Sequence, residues 1–361
     1  MERIRWEMYP VVADHERGRA WLQLQANLQL ASKTIDAYGR GLDDFLRFCA
    51  AQGIVADEVS RGEVALYVAD LARRPHRRGA RIVHADSRAG LANATMQQRI
   101  TVVRLFCDYL VESGHRADNP VGRGRYVPGK GFGGMRSRGL LPRYRRLPWI
   151  PDDTEWLALV RSLRHESLRN RLMLLLAYDG ALRRQELVTL RLGDCDFSYR
   201  QITVASEHAK NRQTRVVGYG EVAGRFLAQY LEQRRTLTTA GGAVFVSESR
   251  RNHGQPLSLV TWSKVVEGMA QRCDLPRFTT HTPRHLRLTH LARAGMDLHQ
   301  IALYAGHKSL ETTMQYIHLS GVELTESVRK SLAGFEGWLT ATLGLPSVAG
   351  DRGGLYEEEG R

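Results

Sequence analysis

Apolar residues recur at steps of three and four along several stretches of the chain, which is the spacing of an amphipathic helix. A less regular pattern predicts a helix over 61–72, and a further helix runs from near Thr95 to Gly114. The clearest stretch begins near Ser32 and places these residues on one face: Ile35, Tyr38, Leu42, Phe45 and Cys49. We therefore expect residues 1–121 to form a helical N-terminal domain.

The pattern changes in the second half, where helical periods surround a short region of alternating residues. Helices are predicted from Pro151, through the apolar run 172–178, from Arg183, and over 221–236 and 261–273. Between them, apolar and polar residues alternate with period two over 192–197, 201–205 and 214–217. The expected fold class is thus mainly α with a small antiparallel β-sheet. This second domain is predicted to span 151–345, with a terminal amphipathic helix over 324–339 and a disordered tail over 346–361.

Two stretches without periodicity are rich in arginine. Residues 73–90 are broken by Pro75 and Gly79 and are predicted to be a loop, either solvated or lying along a phosphate backbone. Residues 122–150 contain glycine, proline, basic and aromatic residues but no acid, and are predicted to be an interdomain linker. This linker is either a plain tether or a strap crossing DNA. The predicted DNA-contact residues are Arg73, Arg74, Arg77, Arg78, Arg123, Arg125, Lys130, Arg143 and Arg145.

Charge points to a polyanionic partner. The chain has 361 residues, with 52 lysines and arginines against 38 acids, and a formal net charge of +14. Such an excess creates a field suited to nucleic acid. The four cysteines form no CxxC pair, which argues against a zinc ribbon or a disulfide framework. With no signal peptide or membrane-spanning run, the sequence favours a soluble protein of a reducing cytoplasm.

Several candidate catalytic residues lie between residues 281 and 319. His281 and Arg284 are three residues apart, so they would share a helix face. Gly306 would end a helix and expose His307, and Ser309 would cap the next helix, which carries Tyr316. A metal site formed by His281, His285 and His290 is the alternative, but no cysteine or carboxylate cluster joins these histidines.

Tyrosine, arginine and lysine together suit phosphoryl transfer. A phenol has a pKa near 10 and needs a base before it can attack, while the arginines can hold the phosphate oxygens. A lysine on a hairpin could protonate the leaving sugar oxygen. In chain order the sequence supplies Arg183 in GALRRQEL, Lys210 in HAKNRQTR, His281 and Arg284 in HTPRH, His307 in GHKSL, and Tyr316 in TTMQYIH.

This ordered set resembles the tyrosine recombinases, also called the phage integrase family. In that family a tyrosine also stands nine residues after the Gly-His histidine. The resemblance covers residues 148–335 through these motifs and implies a C-terminal α+β tyrosine recombinase catalytic domain. The N-terminal helices look like the family's SAM-like core-binding domain.

The resemblance also implies the chemical roles. Arg183 and Arg284 would clamp the scissile phosphate while Tyr316 attacks it and forms a 3′-phosphotyrosine bond. Lys210 would act as general acid, His281 as base or proton shuttle, and His307 as a donor to a phosphate oxygen. No metal, ATP or other cofactor is expected, because the phosphotyrosine conserves the bond energy.

The implied function is site-specific DNA recombination through a Holliday junction, for a phage or transposon in a bacterial cytoplasm. The expected partners are double-stranded DNA carrying recombination sites and a homotetramer joined through the C-terminal helix, although that helix could instead pack on its own domain. The protein would associate with the nucleoid when bound to DNA. Two alternatives are type IB topoisomerase-like relaxation and a non-catalytic DNA-binding accessory protein.

Two positions depart from the family pattern. Gly180 is separated from Arg183 by Ala181 and Leu182, which predicts a reshaped turn. Pro283 stands inside the HxxR motif, and proline is best tolerated in the first turn of a helix. His281 is therefore expected at or near the helix cap, with Arg284 just inside the helix.

Overall fold

The computed structural model describes residues 4–74, 91–122, 139–142, 147–205, 214–238 and 241–320. The chain divides into two compact units, residues 1–146 and 147–361. Helices dominate the described residues of both units, and the second also contains a three-stranded antiparallel sheet. The predicted fold class, mainly α with a small antiparallel sheet, is confirmed.

The first unit is a set of helices around one apolar core. In the described residues of this unit the helices are α1 (Pro10–Asp14), α2 (Glu16–Asn27), α3 (Ser32–Gln52), α4 (Arg61–Arg73) and α5 (Asn93–Glu112). The sequence pattern predicted α3, α4 and α5 but gave no sign of α1 and α2. Phe45 and Leu42 of α3 are fully buried, and each such side chain contributes about 2 kcal/mol through its removal from water.

Two glycines let other parts of the first unit approach α3 closely. A Cβ on Gly39 would lie 2.8 Å from the ring of Tyr9, and a Cβ on Gly41 would lie 2.8 Å from the side chain of Val102. Real Cβ atoms essentially never make contacts this short, so a larger residue at either position would force these side chains apart. α3 is thus the central helix of the unit.

The second unit combines helices with the three-stranded sheet. Its helices in the described residues are α6 (Asp153–Ser162), α7 (Leu168–Asp179), α8 (Arg184–Val188), α9 (Glu221–Leu237), α10 (Leu259–Arg272), α11 (Thr282–Arg293), α12 (Leu298–Ala305) and α13 (Leu310–Ser320). The strands are β1 (Cys195–Asp196), β2 (Gln201–Val204) and β3 (Arg215–Gly218), in the order β1-β2-β3. Ile202 pairs with Val217, and both are buried in the core.

The first strand is much shorter than the alternating pattern predicted. Leu192–Asp194 forms a 3₁₀ turn instead, and only Cys195–Asp196 pairs with β2. The carboxylate of Asp194 accepts a hydrogen bond from the backbone nitrogen of Arg191 at 2.8 Å, which closes this turn. An aspartate three residues after a helix-capping position therefore overrode the period-two signal.

The last three helices confirm the expected start and stop signals. His281 is the N-cap of α11, Pro283 lies in its first turn, and Arg284 follows inside the helix. Gly306 ends α12 with a left-handed backbone at φ 63°. The hydroxyl of Ser309 accepts from the backbone nitrogen of Glu311 at the start of α13.

α11, α12 and α13 also enclose a small separate core. It holds Ala181 from the loop before α8 together with Leu288, Ala292, Ile301, Ala305 and Tyr316. This core buries the predicted nucleophile, because the side chain of Tyr316 is 1% exposed.

Several predictions fall outside the described residues. They include the loop from residue 75 to 90, most of the linker, Lys210 with the turn between β2 and β3, the terminal helix and the tail. Where the structure does describe helices, none is both long and apolar enough to span a membrane.

Candidate active site

Arg183 occupies the N-cap of α8 and has three polar contacts. Its backbone nitrogen donates to Glu186 Oε2 at 2.8 Å, and its Nη1 donates to Glu186 Oε1 at 2.7 Å. Its Nη2 donates to the carbonyl of Gly306 at 3.0 Å. In the preceding turn Ala181 takes a left-handed φ of 46°. The guanidinium is thus anchored on both the α8 turn and the loop before His307.

Glu186 also pairs with Arg215, a residue that sequence reasoning missed. Arg215 Nη1 and Nη2 lie 3.0 and 2.7 Å from the two carboxylate oxygens, and its Nε donates to the carbonyl of Tyr304 at 3.0 Å. Burial by itself would raise the pKa of Glu186, but the hydrogen bonds and charge of Arg215 and then of Arg183 lower it to about 2. A signal existed: Arg215 is on the same strand face as buried Val217, and an inward-facing arginine requires a buried partner.

Arg284 is almost fully buried at 4% exposure. Its Nη1 donates to the carbonyl of Ala181 at 2.5 Å, and its Nη2 donates to the carbonyl of Ala305 at 2.6 Å. Burial and then the charge of Arg183 lower its pKa to about 9. At this site the carboxylate of Glu186 pairs with Arg183 and Arg215, and Arg284 adds a third guanidinium. Positive charge therefore exceeds negative charge, and a bound anion would offset the excess.

His307 links Arg284 to α13. Its Nε2 lies 3.0 Å from Arg284 Nη2, and its Nδ1 lies 2.8 Å from Thr313 Oγ1. A guanidinium only donates, so Nε2 accepts and Nδ1 carries the proton that it donates to the threonine. Burial and then the charges of Arg284 and Arg183 lower the pKa of His307 to about 3, which agrees with a neutral ring.

Tyr316 lies between two imidazole rings. Its ring stacks on His307 with centroids 6.0 Å apart and planes 6° apart. Its phenolic oxygen is 2.9 Å from Nδ1 of His285, a residue to which sequence reasoning gave no catalytic role. Burial raises the pKa of Tyr316, and the nearby Arg284 opposes this shift. The position of His285, directly after the HxxR arginine, gave no sequence signal for this contact.

The structure places His281 less centrally. It is exposed at the start of α11, and its imidazole makes no hydrogen bond to another described residue. Partial desolvation and then the charges of Arg184 and Arg284 lower its pKa. The structure therefore brings Arg183, Arg284, His307 and Tyr316 together, whereas Lys210 lies outside the described residues.

A cleft of about 700 Å³ opens beside this cluster. Arg183, Arg215 and His307 contribute to its wall, and Leu303 and Met296 give it an apolar side. Among the described residues, the lining does not include the buried Tyr316. The arginine side of the site is thus open, while the phenol is enclosed.

The three histidines considered as metal ligands, His281, His285 and His290, do not share a common site in the structure. His285 contacts Tyr316, and His290 Nδ1 lies 2.7 Å from the phenolic oxygen of Tyr178. In the part of the chain that the structure describes, no group of three or more potential metal ligands is found.

Two of the predicted DNA-contact residues are described. Arg73 is the last residue of α4, and Arg74 follows it. Arg74 forms ion pairs with Asp44 at 2.6 Å and with Asp70 at 2.5 Å. The remaining seven lie outside the described residues, so DNA contact stays a prediction for the whole set.

Residues 152–322 match the phage integrase family, and residues 20–114 match the N-terminal SAM-like domain of phage integrases. Over 249 residues the chain is 31% identical to tyrosine recombinase XerC of Pelotomaculum thermopropionicum, covering 67% of this chain and 76% of that protein. It is 27% identical to XerC of Herpetosiphon aurantiacus over 84% of this chain and 90% of the relative.

Solved structures share the fold at low identity. One is the XerH site-specific recombinase bound to palindromic difH substrate as a post-cleavage complex, with a TM-score of 0.63 and 18% identity over 83% of this chain and 80% of that chain. Another is the Tn1549 transposon integrase in complex with a circular intermediate DNA, with a TM-score of 0.61 and 15% identity over 86% and 94%.

Proposed function

The chain belongs to the phage integrase family of tyrosine recombinases, and on that basis we propose that it cleaves and rejoins DNA at specific sites through a 3′-phosphotyrosine intermediate. The proposal rests on one observation: four side chains that are distant in sequence lie together in the structure. They are Arg183, Arg284, His307 and Tyr316. Arg284 contacts His307, and His307 stacks on Tyr316. Arg183 reaches the same loop through Gly306.

The arginines supply the phosphate site in this proposal. Arg183 and Arg284 are held by backbone carbonyls and by Glu186, so their guanidinium groups are fixed before substrate binds. A phosphodiester bound between them would neutralise the excess charge of the site. Prepositioned donors of this kind are the main contribution of a protein to phosphoryl transfer.

Covalent chemistry then follows in two balanced steps. Tyr316 Oη gives its proton to a base and bonds to phosphorus, the bond from phosphorus to O5′ breaks, and Lys210 gives a proton to O5′. In the second step a 5′-hydroxyl gives its proton back to Lys210 and attacks the phosphotyrosine. The bond from phosphorus to Tyr316 Oη breaks, Oη takes back its proton from the base, and a phosphodiester is restored. Because the phosphotyrosine conserves the bond energy, the proposal includes no ATP, metal or other cofactor.

A nicked duplex that loses a short fragment after cleavage tests this chemistry. We expect a covalent protein-DNA adduct with the wild-type chain and none with Tyr316→Phe. Normal DNA binding without any adduct from the wild type would favour the non-catalytic accessory protein. A two-site assay separates the remaining alternative, because a type IB topoisomerase-like enzyme would relax supercoils without exchanging two marked duplexes.

Strand exchange through a Holliday junction requires several active sites at one synapse, so we include a homotetramer on DNA in the proposal. The C-terminal helix that would join the subunits lies outside the described residues. Sedimentation of the protein with a two-site DNA should give a complex of four chains, and a complex of one chain per duplex would contradict it.

The proposed biological role is recombination for a mobile element, either a phage or a transposon. The basic stretch over 73–90 and the long linker over 122–150 exceed what a minimal resolvase needs. The Tn1549 transposon integrase shares the fold of this chain. Direct repeats at an insertion junction in the DNA flanking the gene would support this role.

A further inference from the structure

The phenolic oxygen of Tyr316 lies 2.9 Å from Nδ1 of His285, which is within the range for direct proton transfer. α11 carries the histidine and α13 the tyrosine, and the two helices pack together. From this geometry we infer that His285 takes the phenolic proton of Tyr316 as the tyrosine attacks the scissile phosphate. The inference rests on the proposed function and assigns its nucleophile a base.

The protonation states of the two groups are compatible with this role. Burial raises the pKa of Tyr316, and burial with the charges of His281 and Arg284 lowers the pKa of His285 to about 4. Both groups are therefore neutral at pH 7. In the tautomer protonated at Nε2, the phenol donates to Nδ1, which is the geometry from which a proton can pass to the imidazole.

Other described groups near the phenol are less suited to accept its proton. His307 has both nitrogens engaged, with Arg284 and with Thr313, and it presents its ring face to the tyrosine. Gln315 lowers the pKa of Tyr316 through a side-chain hydrogen bond, but an amide does not titrate. His281, to which the family resemblance gives the role of base, is exposed, and its imidazole has no hydrogen bond to Tyr316.

Substrate binding would increase the basicity of His285. The charged and titratable groups around it are His281 and Arg284 on its own helix and Tyr316 and His307 from the facing segments. A phosphodiester anion held by Arg284 offsets the positive charge that lowers the pKa of His285. The histidine would thus become a stronger base when the phosphate is in place, and Tyr316 would stay protonated otherwise.

The proposed step balances. The proton on Tyr316 Oη moves to His285 Nδ1, the bond from Oη to phosphorus forms, and the bond from phosphorus to O5′ breaks. O5′ receives a proton from the general acid, for which Lys210 is the candidate. In the rejoining step the imidazolium of His285 returns its proton to Oη as the tyrosine leaves.

The chain offers a matched control for this test. His290 lies on the same helix, and its Nδ1 also contacts a phenol, that of Tyr178 at 2.7 Å. His285→Asn keeps a hydrogen-bonding atom near the position of Nδ1 but removes the base, and His285→Ala removes both. His290→Asn makes the same chemical change at a tyrosine that has no role in the proposal.

The measurement is the first-order rate of adduct formation on the nicked duplex, with protein in excess, from pH 5 to pH 10. A second duplex carries sulfur in place of the bridging O5′, because a thiolate leaves without a proton. Loss of the general acid is rescued on this duplex, whereas loss of the base is not. DNA affinity and the melting temperature of each variant show whether it is folded.

We expect both His285 variants to form the adduct about 10²–10⁴-fold more slowly at pH 7 on both duplexes. Their rates should rise about tenfold per pH unit, since the phenolate then forms only by ionisation. The wild type should reach a plateau at neutral pH, and His290→Asn should match it. A wild-type rate for His285→Asn, or a wild-type rate that keeps rising through pH 9, would overturn the inference.

Failure of the proposed function has a different signature. An adduct from Tyr316→Phe, or no adduct from the wild type, would contradict the recombinase chemistry itself. Slow adduct formation that depends on Tyr316 but is indifferent to His285 would leave that chemistry intact and remove only the assigned base.

Discussion

Glu186 and Arg215 form a paired ion contact in which each carboxylate oxygen faces a guanidinium nitrogen, at 3.0 and 2.7 Å. The same carboxylate also accepts from Arg183. Arg215 begins β3, so the carboxylate joins this strand to Arg183, one of the two arginines of the proposed phosphate site. Glu186, which has no direct chemical role in the proposal, thus holds both Arg183 and Arg215 in position.

Glu186→Gln should destabilise the second unit. The change removes the negative charge from a side chain that is 1% exposed, so the positive charges of Arg183 and Arg215 lose their buried partner. Breaking a buried ion pair in this way costs about 3 kcal/mol. Urea unfolding of the wild type and the variant at pH 7 measures the difference, and a loss below about 0.5 kcal/mol would show that the pair is not effectively buried.

The contribution of Glu186 should also depend on pH. Its pKa is about 2 in the folded chain against 4.5 in the unfolded one, so the unfolded state binds more protons in that interval. The stabilisation is complete above about pH 5 and is lost as the pH falls towards 2. Because other groups titrate there too, the quantity to follow is the stability difference between wild type and Glu186→Gln, which should shrink over this window.

Arg215→Lys should slow cleavage without abolishing DNA binding. A lysine cannot span both oxygens of Glu186 and also reach the carbonyl of Tyr304. We expect the rate of adduct formation to fall about tenfold, because a small misplacement of Arg183 weakens phosphate positioning. Arg225→Lys is the control, since Arg225 pairs with Glu221 on the exposed surface of α9, and it should behave as wild type.

Arg284→Lys should lose most activity although it keeps the charge. Arg284 contacts two carbonyls and His307 from one planar group, a geometry that an ammonium cannot reproduce. The expected loss in adduct formation is about 10²–10³-fold, with DNA affinity changed only a few-fold. Arg293→Lys at the exposed end of the same helix should retain the rate, and an equal loss there would point to a non-specific charge effect.

Gly306→Ala should be more harmful than Gly295→Ala. Both glycines have left-handed backbones, at φ 63° and 78°. A Cβ on Gly306 would lie 3.1 Å from Cδ of Arg215, whereas a Cβ on Gly295 meets nothing within 4 Å. Thermal unfolding should show a loss of about 1 kcal/mol for Gly295→Ala from backbone strain alone and a larger loss for Gly306→Ala. Equal losses would mean that the loop before His307 adapts to the methyl group.

The sequence alone predicted where helices begin and end when a capping or helix-breaking residue marks the position. Pro283 predicted that His281 would cap α11 and that Arg284 would lie just inside it, and Gly306 marked the end of α12. These are local effects of backbone geometry, so they can be read from neighbouring residues.

Tertiary contacts explain what the sequence did not predict. His285 contacts a tyrosine 31 positions away in the sequence, and Arg215 pairs with a glutamate 29 positions away. α1 has only five residues, too few to show a helical period, and both α1 and α2 pack residues such as Val12 and Trp21 into the core of the first unit. β1 was overpredicted because the cap of Asp194 competed with the alternating pattern.

The identity of the residue joined to DNA is the most direct test of the proposed recombinase chemistry. After the wild-type chain reacts with the nicked duplex, nuclease and protease digestion leave a peptide that carries the linked nucleotide, and mass spectrometry locates the modified side chain. We expect a nucleotide on the phenolic oxygen of Tyr316 and on no other residue. A nucleotide attached to a different side chain, or an adduct that persists in Tyr316→Phe, would contradict this chemistry.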